Sequence, residues 1–200
     1  MGCVSSSSQG VETAKPPSGS NKKPENAAGN ADDIYDKPPM NDPRVPLTRR
    51  EIFLAGKSWK GVTRNMEETG MHMINKLIKQ NPEFEEIIKS NAKEEDKDNA
   101  LCTTADSMMS GFSKSILLLE DYDKFVDFLF ALGNSYRQFH NFNDTYFEKL
   151  REPFLSAIRE TLQDRYTDNI QNIYTKAFNF IVQTMKEGYN SSTRSHLGSS

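Results

Sequence analysis

The segment IYTKAFNFIVQTMKEGY, residues 173–189, has a strong helical periodicity. Its apolar side chains recur at spacings of three and four, which places them on one side of an α-helix. These apolar residues are Ile173, Tyr174, Ala177, Ile181, Val182 and Met185. The pattern predicts a long final helix that packs on a core, and Gly188 is predicted to be its C-terminal cap.

The same periodicity extends upstream from this helix to residue 48. Thr48 and Glu51 have the spacing of a capping box, which predicts the start of a first helix. Asn81-Pro82 predicts the start of another, because proline is favoured in the first turn. Helices are predicted from the Thr48 cap through Trp59, over residues 66–80, 82–89 and 101–119, from Phe125 to near Tyr136, over residues 145–162, and from Ile170 to the cap at Gly188. The charged residues 91–99 are predicted to be a loop.

Two signals concern the predicted helix over residues 145–162. Thr145 and Glu148 have the spacing of a second capping box. Pro153 lies inside the apolar pattern, and a proline inside a helix removes a backbone hydrogen bond, so a kink is predicted there. No segment reads as a strand, and no repeat is detected. The fold class is therefore predicted to be all-α, with one domain spanning residues 48–189.

The two ends of the chain differ in composition from this domain. Residues 1–47 are rich in Ser, Gly, Pro, Asn and Lys, and residues 190–200 are similarly polar, so both are predicted to be disordered. The formal net charge is −3, and no basic stripe or stacking motif indicates nucleic-acid binding. No stretch is apolar enough to predict a transmembrane helix. Cys3 and Cys102 suggest no disulfide framework, which favours an intracellular location.

The first six residues, MGCVSS, fit the pattern for N-terminal myristoylation, with Gly2 as the acceptor and Ser6 as the small polar residue. One myristoyl chain binds a membrane only marginally, so a second signal is needed. Lys22 and Lys23 are balanced by acidic residues, whereas Cys3 lies beside Gly2 and can be palmitoylated. The sequence therefore predicts lipidation at Gly2 and Cys3, which would place the protein at the cytoplasmic membrane surface.

Several ungapped segments resemble globins, nearest to the neuroglobin and globin X type. They are SWKGV at 58–62, NPEFEEI at 81–87, LFALG at 129–133 and the final segment at 173–189. The resemblance covers residues 48–189 and implies a 3-over-3 globin fold of about eight helices around a haem pocket. It also implies haem b and binding of oxygen or another diatomic ligand, with a carrier, sensor or redox role.

The resemblance to globins implies which residues would surround a haem group. It places haem between the helix over residues 101–119 and the helix that ends near Tyr136. The position of the proximal ligand, usually histidine, falls on Tyr136, and the distal position falls within residues 104–107. Residues 73–139 contain no histidine. The cofactor contacts implied by the resemblance are Ile88, Thr104, Met108, Phe112 and Leu132.

Four alternatives for this site remain open from the sequence. Tyr136 can ligate ferric haem as a phenolate if Arg137 or another cation lowers its pKa. A shift of one helical turn would instead bring His140 to the iron. The pocket can be free of haem and filled by Met108, Met109 and Phe112, since methionine fills irregular gaps. Lastly, haem can be held by apolar contacts without a strong protein ligand.

The remaining chemistry-bearing residues predict no enzyme. No Ser/His/Asp set, phosphate loop or catalytic pair of carboxylates can be assembled. His72 is predicted to face solvent, and Cys102 to be an ordinary half-buried thiol. The sequence predicts a membrane-tethered globin that handles a diatomic ligand or electrons. The alternative is a haem-free globin module that senses signals or binds an unidentified protein partner at the membrane.

Overall fold

The computed structural model describes residues 42–191, and this part of the chain is all-helical. The α-helices are α1 Arg49–Val62, α2 Met66–Gln80, α3 Glu83–Asn91, α4 Ala100–Leu118, α5 Tyr122–Ser135, α6 Tyr146–Lys149, α7 Arg151–Leu162 and α8 Asp168–Asn190. Short 3-10 helices occupy Thr63–Asn65, Glu94–Asn99, Tyr136–Gln138 and Gln163–Arg165. Within residues 42–191, none of the helices combines the length and apolarity needed to span a bilayer.

The core forms where α8 packs along α5 and α2 crosses α4 and α7. Its centre is aromatic. The Phe112 and Phe154 rings lie 4.4 Å apart between centroids, and Phe154 lies 5.4 Å from Phe178. Trp59 of α1 packs on Phe154 and donates an indole hydrogen bond to the Ser113 hydroxyl at 3.1 Å. These contacts join α1, α4, α7 and α8 in one apolar cluster.

The start of α1 follows the sequence prediction. The Thr48 side chain accepts from the Glu51 amide, and the Glu51 carboxylate accepts from the Thr48 amide at 2.7 Å, which completes the capping box. The packed domain nevertheless begins before the predicted boundary at residue 48. Val45 and Leu47 are both buried in the core. The predicted tether over 1–47 and the tail over 190–200 otherwise lie outside the described residues, as do Gly2 and Cys3.

Two glycines allow α5 and α8 to approach at backbone distance. A Cβ atom added to Gly133 would lie 2.0 Å from the Met185 carbonyl oxygen, and one added to Gly188 would lie 2.4 Å from the Phe130 carbonyl oxygen. Gly188 is therefore not the C-terminal cap that the sequence predicted, because α8 continues to Asn190. Glycine is required there because no side chain fits between the two helices.

The segment over residues 145–162 also differs from the prediction. The Thr145 side chain caps no helix, so the second capping box does not form. The helix is interrupted rather than kinked. α6 stops at Lys149, whose carbonyl is the acceptor that Pro153 cannot use, and Pro153 lies in the first turn of α7. Proline is tolerated there because a first-turn residue needs no intrahelical donor.

Two smaller predictions are corrected as well. The charged stretch over residues 91–99 is not an irregular loop, because α3 runs to Asn91 and Glu94–Asn99 form a 3-10 helix. Cys102 is exposed on α4 rather than half-buried. His72 lies on the outer side of α2, as predicted, and its imidazole contacts the Glu160 carboxylate.

Candidate functional site

A cavity of about 270 Å³ lies between α3, the 3-10 helix Glu94–Asn99, α4 and the segment that follows α5. Its walls are largely apolar. Phe84, Ile87 and Ile88 line it from α3, and Met108 lines it from α4. The volume is close to the lower end of the range for small-molecule sites, about 300 Å³. The cavity can therefore hold an apolar, flat or elongated group.

Polar residues lie along one part of the cavity wall. Thr103, Thr104 and Ser107 of α4 contribute hydroxyls, and Lys93 and Asp96 contribute charge near the 3-10 helix Glu94–Asn99. A ligand in this cavity would thus meet a hydroxyl-bearing side and an apolar side. No imidazole of the described residues lines the cavity.

Asn91 links the end of α3 to the segment after α5. Its side-chain amide donates to the His140 carbonyl at 3.0 Å, and its side-chain oxygen accepts from the His140 backbone N–H at 2.7 Å. This pairing fixes the backbone of residue 140 beside the cavity while the His140 side chain remains exposed. The imidazole would have to turn inward to reach a ligand.

Tyr136 is the first residue after α5 and lines the cavity together with residues of α3 and α4. Its ring contacts Phe139 and Phe142 with centroids 5.0 Å away, and it meets Phe147 edge-on at 5.2 Å. No group of the described residues hydrogen-bonds its hydroxyl. The sequence predicted the position of this side chain but not the aromatic cage around it.

Burial raises the pKa of the Tyr136 phenol above its ordinary value. The predicted partner does not offset this shift, because the Arg137 guanidinium donates to the Ser191 carbonyl at 2.8 Å. No cation in the described part of the chain lowers the pKa of Tyr136. The phenol is therefore neutral at physiological pH, and its oxygen becomes a strong ligand only when a bound metal displaces its proton.

A second, smaller cavity of about 30 Å³ adjoins the first; we call it the inner cavity and the first one the outer cavity. The two cavities are adjacent and share four lining residues, which are Ser107, Met108, Tyr136 and Leu150. The inner cavity is large enough for a molecule of about the size of water. A diatomic molecule has a similar size, so the inner cavity has room for one beside Tyr136.

The residues predicted to contact a cofactor divide between the two cavities. Ile88 and Thr104 line the outer cavity, Phe112 and Leu132 line the inner one, and Met108 lines both. Met109 points instead into the core and is fully buried. The structure thus brings all five predicted positions to one region around Tyr136.

Sequence reasoning missed Phe139, Phe142 and Asn91 as site residues. The segment FHNF, residues 139–142, has two phenylalanines three positions apart, which was the available signal for an aromatic wall. The pairing of Asn91 with residue 140 had no signal, because hydrogen bonds to backbone atoms depend on the loop conformation. Among residues 42–191, moreover, no group of three or more His, Cys, Asp or Glu side chains is arranged to hold a metal ion.

The fold and this cavity place the chain in a known family. The globin family model matches residues 72–185, and the chain belongs to the globin family. Cytoglobin-1 of Oryzias latipes is 22% identical over 160 residues, which are 78% of this chain and 90% of that protein. Globins generally bind haem and oxygen, which is the general property that this family membership implies.

Two solved structures show the same architecture. A hexacoordinated heme protein from an anhydrobiotic tardigrade superimposes with a TM-score of 0.69 at 28% identity, over 75% of this chain and 99% of that chain. The hemoglobin of the botfly Gasterophilus intestinalis superimposes with a TM-score of 0.61 at 14% identity, over 72% of this chain and 100% of that chain. The predicted all-α globin fold is confirmed.

The residues present fit a haem group, although the donor is unusual for the family. The outer cavity is apolar, and it contains a phenol oxygen that lacks a hydrogen-bond partner among the described residues. Tyrosine is one of the side chains that ligate haem iron in proteins, as in catalase. If haem is bound, Tyr136 would supply the oxygen donor, and Met108, which lines both cavities, would offer a weak sulfur donor on α4.

Proposed function

We propose that this protein is a haem-binding globin in which the phenol of Tyr136 takes the place of the proximal imidazole. The observation that carries this proposal is the Tyr136 side chain itself. It lines an apolar cavity at the position that the globin pattern assigns to the iron ligand, and its hydroxyl has no partner in the described part of the chain. Haem b is the form of the cofactor that we propose.

Each part of the cavity would have a separate role. Phe84, Ile87 and Ile88 would bind the macrocycle through apolar contact and exclude water. Lys93, at the polar side, would pair with a carboxylate of the cofactor. The aromatic cage of Phe139, Phe142 and Phe147 would hold the Tyr136 ring in one orientation. The inner cavity would admit a diatomic molecule next to Met108.

When bound, haem iron supplies a site for diatomic ligands and for one-electron transfer. An anionic oxygen donor favours the harder ferric state, because hard ligands prefer the higher charge. Tyrosine ligation therefore opposes reversible oxygen storage and favours a sensor or redox role. The proposed role is therefore ligand binding or electron transfer rather than enzymatic catalysis.

A second candidate function is a haem-free globin module that binds a protein partner. The raised pKa of Tyr136 favours it, because a neutral phenol without a nearby cation is a weaker ligand than an imidazole. In this case the outer cavity would stay filled with water or with rearranged side chains. The two functions differ in one measurable property, the binding of haem at a defined stoichiometry.

Titration of the purified full chain with hemin tests the proposal. We expect a sharp Soret band that saturates at one equivalent. Thr104→Trp should abolish saturable binding, because the added indole fills the outer cavity from α4. Ser110→Trp is the matched control, since Ser110 is exposed on the same helix and should leave binding unchanged. Absence of a saturable band in the unmodified protein would instead support the haem-free module.

The proposed location is the cytoplasmic face of the plasma membrane, through myristate at Gly2 and palmitate at Cys3. This part of the proposal is supported by the MGCVSS pattern alone. Two acyl chains suffice for stable anchoring where one does not. In cells, Gly2→Ala should move most of the protein from the membrane fraction to the supernatant. A variant that stays with the membrane to the same extent as the unmodified protein would argue against acylation.

A further inference from the structure

The outer side of α1 combines basic residues with an exposed phenylalanine. Arg50, Phe53, Lys57 and Lys60 are all exposed, and Phe53 retains 62% of its accessible surface. At 3.6 residues per turn, these four positions lie within about a quarter of the helix circumference. We call them the basic face. The opposite side of α1 packs Ile52, Ala55 and Trp59 into the core, so this orientation of the helix is fixed.

The basic face is unusual in its charge. Residues 49–64 contain five basic residues and one acidic residue, whereas the whole chain has a formal net charge of −3. The one acidic residue, Glu51, is held by Lys176 at 2.7 Å and by the capping box, which places it off this face. Beyond the far end of α1, Arg64 lies near Glu67 and Glu68.

Several surface lysines on other helices of the described domain are neutralised by carboxylates. Lys76 pairs with Glu152, Lys149 with Glu83 and Lys186 with Glu148, at 2.6–2.8 Å. By contrast, Arg50, Lys57 and Lys60 form no ion pair with any residue between 42 and 191. The contrast indicates a positive surface that is not compensated within this domain.

We propose that the basic face of α1 is a docking surface for an anionic lipid bilayer. Uncompensated positive charge is complementary to the negative charge of phosphatidylserine at the cytoplasmic leaflet, and each Lys or Arg near such a surface adds attraction. Phe53, at the centre of the basic face, enters the headgroup region, where basic residues beside an aromatic ring are typical of interfacial helices. A convex helix surface has no groove for a peptide, which favours a flat lipid surface over a protein segment.

This inference goes beyond the proposed haem function and requires neither haem nor an acyl chain. α1 contributes no residue to either cavity. The residues of α1 that would contact the membrane therefore do not line the proposed haem site. Docking through α1 also gives an acylated chain an additional membrane contact, one that fixes the orientation of the domain rather than only its location.

Vesicle binding by the full chain tests the proposal. The Gly2→Ala background removes any acyl contribution, so failure of acylation and failure of the basic face give different results. We expect the protein to cosediment with vesicles of phosphatidylcholine and phosphatidylserine at low salt, and not with phosphatidylcholine alone. The double variant Lys57→Glu, Lys60→Glu should bind at least about 25-fold more weakly, since each lost cation costs roughly fivefold and each new carboxylate adds repulsion.

Matched controls separate this surface from general charge effects. Lys79→Glu with Lys97→Glu changes the net charge equally on α2 and on the 3-10 helix Glu94–Asn99, and it should bind as the background does. Phe53→Ser should weaken binding by roughly tenfold, because a buried phenyl ring is lost. Equal binding by both double variants, or binding indifferent to Phe53→Ser, would overturn the proposal in favour of unspecific attraction to anions. Absence of vesicle binding would overturn it outright.

Discussion

Replacing Tyr136 with phenylalanine should remove the ferric haem spectrum that is specific to tyrosine ligation. It should also weaken hemin affinity by about 100-fold or more. Loss of an outer-shell group that only supports a metal ligand already costs 10- to 100-fold, so loss of the ligand itself should cost at least the upper value. The substitution deletes one oxygen and leaves the ring contacts with Phe139 and Phe142 in place. Hemin titration and the ferric absorption spectrum measure both effects.

His140→Ala is the decisive companion variant. The His140 side chain is exposed and the residue is fixed through its backbone, so its removal should leave affinity and spectrum unchanged. The opposite result would establish histidine ligation and refute the role of Tyr136. In that case Tyr136→Phe would keep the affinity and spectrum of the parent protein, and His140→Ala would lose the spectrum.

The pH dependence of hemin binding adds an independent check. A phenol whose pKa is raised by burial must lose its proton on ligation, so affinity should keep rising with pH across the neutral range. An imidazole ligand would give an affinity that levels off above its pKa of about 6.5. A plateau near neutral pH would therefore argue against Tyr136.

Replacing Gly133 with alanine should lower the free energy of unfolding by about 3 kcal/mol or more. The new Cβ would lie 2.0 Å from the Met185 carbonyl oxygen and 2.8 Å from its carbonyl carbon. These are backbone atoms, so a rotamer change cannot relieve the overlap, and α5 must separate from α8. Overpacking of a well-packed core commonly costs 1–3 kcal/mol, and backbone overlap belongs at or above the upper end. Urea denaturation followed by circular dichroism measures the loss.

Gly56→Ala provides the matched control for this prediction. Gly56 lies in α1, and a Cβ there would meet no atom within 4 Å. Alanine is favoured over glycine inside a helix by up to about 1 kcal/mol, so this variant should be as stable as the parent or more stable. Similar stability of Gly133→Ala and Gly56→Ala would contradict the close approach of α5 and α8. Because Gly133 lies three residues before Tyr136, the same variant should also impair hemin binding.

Much of the fold could be predicted from the sequence because its helices are amphipathic and capped locally. The stripe of Ile173, Ala177 and Ile181 in α8 and the capping box at Thr48 depend on residues within one or two turns. Such signals are visible without a tertiary structure. The position of Tyr136 was predictable as well, since it follows the LFALG segment at a fixed spacing.

The remaining features depend on contacts between distant segments, so local sequence signals could not predict them. Gly188 has the local appearance of a cap, and only the Phe130 backbone beside it explains why a glycine stands inside α8. The break before Pro153 could be placed within one turn but not distinguished from a kink. The basic face of α1 was missed because Arg50, Lys57 and Lys60 are spaced along the chain, and only the fixed orientation of the helix brings them together on one exposed side.

The proposed haem site and the proposed membrane-docking surface are formed by different helices of the domain. The cavity is built from α3, α4 and the segment after α5, whereas the basic face belongs to α1 alone. A protein held at a bilayer through α1 would keep a haem-binding cavity that is lined by none of its membrane-contacting residues. If the proposed docking holds, this arrangement would leave the cavity accessible to a redox partner or a diatomic ligand while the domain is bound to the membrane.

The most direct test of the central claim is a crystal structure of the full chain loaded with hemin, with the iron located from its anomalous scattering. We expect iron in the cavity between α4 and Tyr136, with the phenol oxygen of Tyr136 as its protein ligand. Iron ligated by an imidazole nitrogen of His140, or bound outside this cavity, would contradict it.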